Sequence, residues 1–242
     1  MRLIIARHFK TVNNADRRIL GWADSPPTGS WENDLLQLDR VLAEHNLRFD
    51  AIYSSGLARA SATARWFACR HGGVEVRERV ELNEIDYGDL SNLSKAWVAQ
   101  EYPEYKADPD FVFPNGESFR GMRKRSVECV LGLAAAHPNE TLLIVAHAGV
   151  IRGLITYFLR LPFAEHLSRK ISHHYLGDFT LDGRGGLRYD ELAKPSGFVA
   201  DGVIQLPLIV ERGTAAGCPP SAGSRLAMDG PSGNAEAPRR FK

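Results

Sequence analysis

The chain is poor in cysteine, with only Cys69, Cys129 and Cys218 among 242 residues. Their spacing fits neither a disulfide framework nor a metal cluster, which points to a reducing compartment. Charge of one sign is also missing: 30 Lys and Arg stand against 29 Asp and Glu, leaving a net charge of +1. No global field therefore favours nucleic acid or a membrane surface. No apolar stretch approaches the ~20 residues of a membrane span. The apolar run ahead of Arg7 is too short for the core of a signal peptide, and no internal repeat is visible. The expectation is a soluble, cytoplasmic protein with no nucleic-acid or membrane partner. Any charge-based function must come from local clustering. The length suits one large α/β domain or two small ones, and a hydrophobic fraction of 44% supports a sizeable core.

What is present begins with Leu3-Ile4-Ile5-Ala6, an apolar run that reads as a buried strand and stops at Arg7-His8. Residues Phe9 to Asn14 read as a polar loop, and the glycines and prolines between Gly21 and Gly29 extend it. Thr28 or Ser30 is placed to cap a helix whose apolar positions Leu35, Leu38, Val41 and Leu42 carry it to about Glu44. Asp50 to Ser55 reads as a second strand, and Leu57 to His71 as a helix stopped by Gly72-Gly73. Val74 to Val76 reads as a third strand. The segment from Glu81 to Gly116 is broken by Gly and Pro, with one short helix near Lys95 to Glu101. Ser118 is placed to cap a long helix to about Ala136. Thr141 to Ala146 is the clearest strand, and His147-Ala148-Gly149 turns it into a last helix. Residues from about 170 to 190 look like a hairpin at the sheet edge. From about Arg212 onward periodicity vanishes, so the reading is a catalytic domain over residues 1–211 and a disordered tail over 212–242.

Strands alternating with helices imply a three-layer α/β/α fold with a mostly parallel central sheet. In such sheets ligands bind beyond the carboxyl ends of the strands. Three of those ends carry Arg7-His8, Ser54-Ser55 with Arg59 beyond, and His147. Taken singly, each has a bland reading: a polar strand exit, a solvated helix charge, a satisfied loop histidine. Together they suit a phosphoryl group. Arginine forks match its oxygens and keep their charge. One histidine nitrogen can attack phosphorus if a backbone carbonyl holds the proton on the other. The second histidine can donate to oxygens that gain charge. The leaving oxygen needs an acid, and Glu81, Glu84, Asp86 and Asp89 crowd one loop.

Four segments, in this order, resemble the histidine phosphatase superfamily, also called phosphoglycerate-mutase-like. Arg7-His8 with Thr11 and Asn14 is similar to its opening Arg-His-Gly-x-Thr-x-x-Asn element. Tyr53 to Ala60, with Thr63-Ala64, resembles the second element. Leu82 to Gly88 resembles the acid-bearing loop, and Val145 to Arg152 the last element. Gly116-Glu117-Ser118 adds a weaker match, and the likeness covers about residues 1 to 190. It implies the fold already read and a metal-independent phosphomonoesterase acting on small phosphorylated metabolites, with no cofactor. It implies that His8 becomes phosphohistidine, that Arg7, Arg59 and His147 bind the phosphoryl group, and that Glu84 is the proton donor. Asn14 would contact the phosphate or orient His8, and Thr11 would line the pocket.

Two departures bear on the substrate. Phe9 and Lys10 stand where the family usually has Gly and Glu or Gln. The Phe9 ring either narrows the pocket or points away. Lys10 either meets a second anionic group of the substrate or faces solvent. Gly56 replaces a usual Pro. Gly21 to Thr28 resembles a Gly-x-x-Asp-x-Pro-Leu-Thr stretch of the alpha-ribazole and broad-specificity phosphatase types. The span from Glu84 to His147 looks short for a mutase insertion, which favours hydrolysis. The competing readings are a phosphoglycerate-mutase-type transfer and a catalytically silent phospho-ligand-binding protein of the same fold.

Overall fold

A computed structural model describes residues 1–181 and 187–193. The tail expected over 212–242, its boundary at 211, and the glycine-rich turn of the expected hairpin lie outside the described residues. The strands are β1 (Arg2–Arg7), β2 (Ala51–Ser54), β3 (Val76–Glu78), β4 (Thr141–Ala146), β5 (Leu176–Leu181) and β6 (Leu187–Glu191). They form one six-stranded sheet in the order β3-β2-β4-β1-β5-β6. The first four are parallel, and β5 and β6 run antiparallel at one edge. The mixed α/β fold with a mostly parallel sheet is therefore the one expected.

Seven helices among the described residues connect and cover the strands: α1 (Val12–Ala15), α2 (Trp31–Glu44), α3 (Ala58–Arg70), α4 (Lys95–Glu101), α5 (Phe119–Ala136), α6 (Ala148–Phe158) and α7 (Phe163–Ser168). Strand side chains alternate between two cores. Ile4, Ala6, Ile52, Leu143 and Val145 pack with Leu35, Leu38 and Phe67 of α2 and α3. Leu3, Ile5, Tyr53, Leu142 and Ile144 pack with Met122, Val130, Ile151 and Leu154 of α5 and α6. Burial on both faces explains why these strands read as continuous apolar runs.

Three expectations need correction. Residues Phe9 to Asn14 are not all loop. Thr11 caps α1, its hydroxyl accepting from the Asn14 N–H while the Asn14 side chain accepts from the Thr11 N–H. That reciprocal pair stabilises a helix too short to show periodicity. The helix after His147 is not the last, because α7 follows behind Pro162. The third strand lies at Val76–Glu78, two residues later than read, because its pairing is set by Ile52 to Ser54 rather than by its own apolar residues.

Register levels the three strand ends that matter. Arg7 stands opposite Ala146, and Ser54 opposite Val145. The His8 N–H donates to the Ala146 carbonyl (3.0 Å) and the Ser55 N–H to that of Val145 (3.2 Å). His8 and His147 thus leave the sheet level with each other, with Ser55 one residue back.

Candidate active site

His8 is buried, and its Nδ1 lies 2.6 Å from the Phe9 carbonyl oxygen. A carbonyl only accepts, so Nδ1 carries the ring proton and Nε2 keeps its lone pair. The His147 ring centre is 5.0 Å away. Burial, then His147, Arg59 and Arg7, push the His8 pKa well below its usual value, so the ring stays neutral.

Arg7 and Arg59 flank the histidines. One Arg7 Nη donates to the Ile171 carbonyl. Arg59, 2% exposed, donates through its two Nη atoms to the carbonyls of Ala23 (2.8 Å) and Gly21 (2.6 Å). The Gly21–Thr28 stretch therefore shapes the site by bracing an arginine. Burial, opposed by Glu84, brings the Arg7 pKa down to about 10, and burial also lowers Arg59. Both remain cationic near neutrality. Arg7 Nε, Arg59 Nε and His147 Nδ1 are buried with no partner among the described residues. Buried donors of this kind are normally satisfied, and oxygens of a tetrahedral phosphoryl group would satisfy them.

Of the four crowded carboxylates, only Glu84 is bonded to the start of α6. Its Oε1 accepts from the Ile85 N–H (3.1 Å) and its Oε2 from the Gly149 N–H (3.2 Å), two residues past His147. A Cβ at position 149 would collide with Glu84 Oε1, so glycine there admits the carboxylate. Asp86 turns instead to the Gly88 N–H, and Asp89 accepts from Asn115.

The loop carrying Glu84 is fastened from three sides. Arg125 of α5 donates to the carbonyls of Glu81, Asn83 and Glu84 and pairs with Glu117. The Trp22 indole N–H also donates to the Glu84 carbonyl (2.7 Å). The Gly56 N–H donates to Asn83 Oδ1 (2.9 Å), a bond that proline at position 56 would forfeit.

The remaining expected residues are held by bonds of their own. Thr11 is buried and spends its hydroxyl on the α1 cap; Asn14 spends its carbonyl oxygen there and retains its amide N–H groups. The Phe9 ring points away from the site, packing 5.1 Å from Trp31 in the core over α2. Its N–H donates to Thr63 Oγ1, whose hydroxyl donates to the Arg59 carbonyl, so Thr63 ties α3 to the His8 loop. Lys10 is half-buried and lies within electrostatic reach of His173.

Sequence reasoning missed His173. Its Nδ1 donates to the His8 carbonyl (3.0 Å) and its ring centre is 5.4 Å from that of His8. Burial and Arg7 lower its pKa to about 3. With Ile171 bonded to Arg7, one short segment before β5 holds both residues of the first strand exit.

Four histidines are thus held neutral by burial: His8, His147, His173 and His166, the last at about 3. An unfolded chain protonates them near pH 6.5, so it gains protons that the fold refuses, and stability falls as pH drops below that value. Each group contributes about 1.4 kcal/mol per pH unit at most. Urea melts are expected to show a loss on the order of 4 kcal/mol between pH 7.5 and 5.5. Among the described residues His166 has no partner on either ring nitrogen, and it stacks on Phe163, so His166→Phe should remove a share of that slope. Equal stability at the two pH values would show that the fold accepts the protons.

Two arginines, a tethered histidine, a second histidine and a carboxylate at the end of a parallel sheet define a site suited to phosphoryl groups. The model of the histidine phosphatase superfamily (branch 1) matches residues 3–187, and the chain belongs to that superfamily. A 2,3-bisphosphoglycerate-dependent phosphoglycerate mutase of Bartonella henselae is 30% identical over 179 residues, spanning 70% of this chain and 87% of that protein. The solved structure of a mycobacterial glucosyl-3-phosphoglycerate phosphatase with VO3 is 26% identical with a TM-score of 0.69, covering 79% of this chain and 98% of the other. A putative alpha-ribazole-5'-P phosphatase of Escherichia coli is 25% identical with a TM-score of 0.71, covering 80% and 96%.

Proposed function

We propose that the protein is a metal-independent phosphomonoesterase that hydrolyses small phosphorylated metabolites through phosphohistidine. The observation that carries this reading is His8 Nδ1 bonded to the Phe9 carbonyl, which leaves Nε2 free to attack. Arg7, Arg59 and His147 bind the three phosphoryl oxygens, and the arginines supply the positive charge. His8 Nε2 forms a bond to phosphorus as the bond to the leaving oxygen breaks, and Glu84 gives that oxygen a proton. Water then attacks the phosphorus, Glu84 takes its proton, the P–N bond breaks and inorganic phosphate leaves.

Hydrolysis is favoured by the solved relatives named as phosphatases, which this chain covers almost end to end. The mutase reading is favoured by curated relatives. One from Parvibaculum lavamentivorans is 29% identical over 203 residues, 95% of its length. A protein of that size bears the mutase name, so the short span from Glu84 to His147 does not separate the two activities. A panel of phosphorylated metabolites assayed with chelator present separates them. Phosphate release at rates well above the exchange of 3-phosphoglycerate with its isomer, primed by 2,3-bisphosphoglycerate, is the expected result. Faster exchange than release would make the protein a mutase, and binding with neither would make it a silent binding protein.

A further inference from the structure

Building on the phosphoryl site above, we propose that Ser55 is a positioning residue that fixes the tautomer of His147 so that its N–H faces the phosphoryl oxygens. Ser55 Oγ lies 2.7 Å from His147 Nε2 and accepts from the Leu57 N–H at 3.2 Å. Both Ser55 and His147 are fully buried. A hydroxyl has one proton and two lone pairs. With Leu57 donating to the oxygen, the hydroxyl proton needs an acceptor, and His147 Nε2 is the one among its partners that can serve. If His147 carried its proton on Nε2, the oxygen would accept twice and its own proton would be left unpaired in a buried site, which is the unfavourable arrangement. The ring proton therefore sits on Nδ1.

That atom is buried and has no partner among the described residues. The His147 ring stands 5.0 Å from that of His8, within electrostatic reach of Arg7 and Arg59. An N–H there donates to a phosphoryl oxygen, whereas the other tautomer would turn a lone pair on it. Ser55 is itself fixed by its backbone bond to Val145 of β4, so the tautomer is set by the sheet. A neutral histidine needs this arrangement; an imidazolium would donate from both nitrogens without it.

The test is a nitrogen-15 imidazole spectrum of the full chain labelled at histidine, combined with kinetics and vanadate binding. Wild-type His147 should appear as the Nδ1–H tautomer. Ser55→Ala should shift it toward Nε2–H, lower kcat by about 10²-fold and weaken vanadate by about tenfold. The His8 tautomer, held by Phe9, should persist and reports an intact fold. Ser55→Thr keeps the hydroxyl and should recover much of the rate. Finding Nε2–H in the wild type would overturn the proposal. So would a Ser55→Ala enzyme with an unchanged His147 tautomer, whatever its rate. The spectrum needs no turnover, so an inactive wild type showing the Nδ1–H form would count against the phosphatase reading and leave this one standing.

Discussion

Replacing His8 with alanine is expected to lower turnover by about 10⁴-fold or more. Its Nε2 is unprotonated, and His147, Arg59 and Arg7 lie within electrostatic reach of the ring. Alanine removes the nucleophile and leaves those donors in place, so vanadate should still bind. In the wild type, phosphate from a labelled substrate should be trapped on His8 when the reaction is quenched without acid, since phosphohistidine is acid-labile. Ser54 and Ser55 are buried at the neighbouring strand end. A phosphoryl group recovered on either of them, or near-normal rates in His8→Ala, would end the phosphohistidine reading.

Glu84→Gln should separate substrates by their leaving groups. General acid catalysis is worth about 10²–10⁴ in rate, and it is needed for an alkoxide but hardly for p-nitrophenolate. Alkyl phosphates should therefore lose that factor while p-nitrophenyl phosphate loses little. Glutamine keeps only one of the two oxygens that accept from the N–H groups of Ile85 and Gly149, so one of those bonds is lost, but Arg125 and Trp22 hold the loop through the backbone carbonyl of residue 84. Equal losses on both substrates would make Glu84 a structural residue. Asp86 is a poor substitute acid, because its carboxylate is turned to Gly88.

The strand ends were legible because position does the work there. Arg7, His8, Arg59 and His147 each follow or flank an apolar run, and a parallel sheet brings such ends together whatever the intervening sequence. The helix from Phe119 was legible at its start for a local reason: Ser118 caps it by accepting from the Gly121 N–H. The sequence could not show the residues that act on distant backbone. Arg125 reaches the Glu84 carbonyl across 41 positions, Trp22 reaches the same carbonyl across 62, and His173 reaches that of His8 across 165. Every residue has a carbonyl, so the composition of a segment does not mark which one a distant donor will find. The choice of Glu84 among Glu81, Glu84, Asp86 and Asp89 came from the family resemblance and not from the residues by themselves, because it depends on a missing Cβ at Gly149.

The Glu84 loop is hung from Arg125, Trp22 and Asn83, while Arg7, His8 and His147 stand at the ends of sheet strands and Arg59 on α3. The two parts of the site thus have different supports, joined where Gly56 bonds Asn83 and Gly149 bonds Glu84. Under the proposed reaction the strand-end residues would grip the part common to all phosphomonoesters, and the suspended loop would meet the part that differs among them. An engineer redirecting this protein would begin at positions 22, 83 and 125 and leave the strand ends alone.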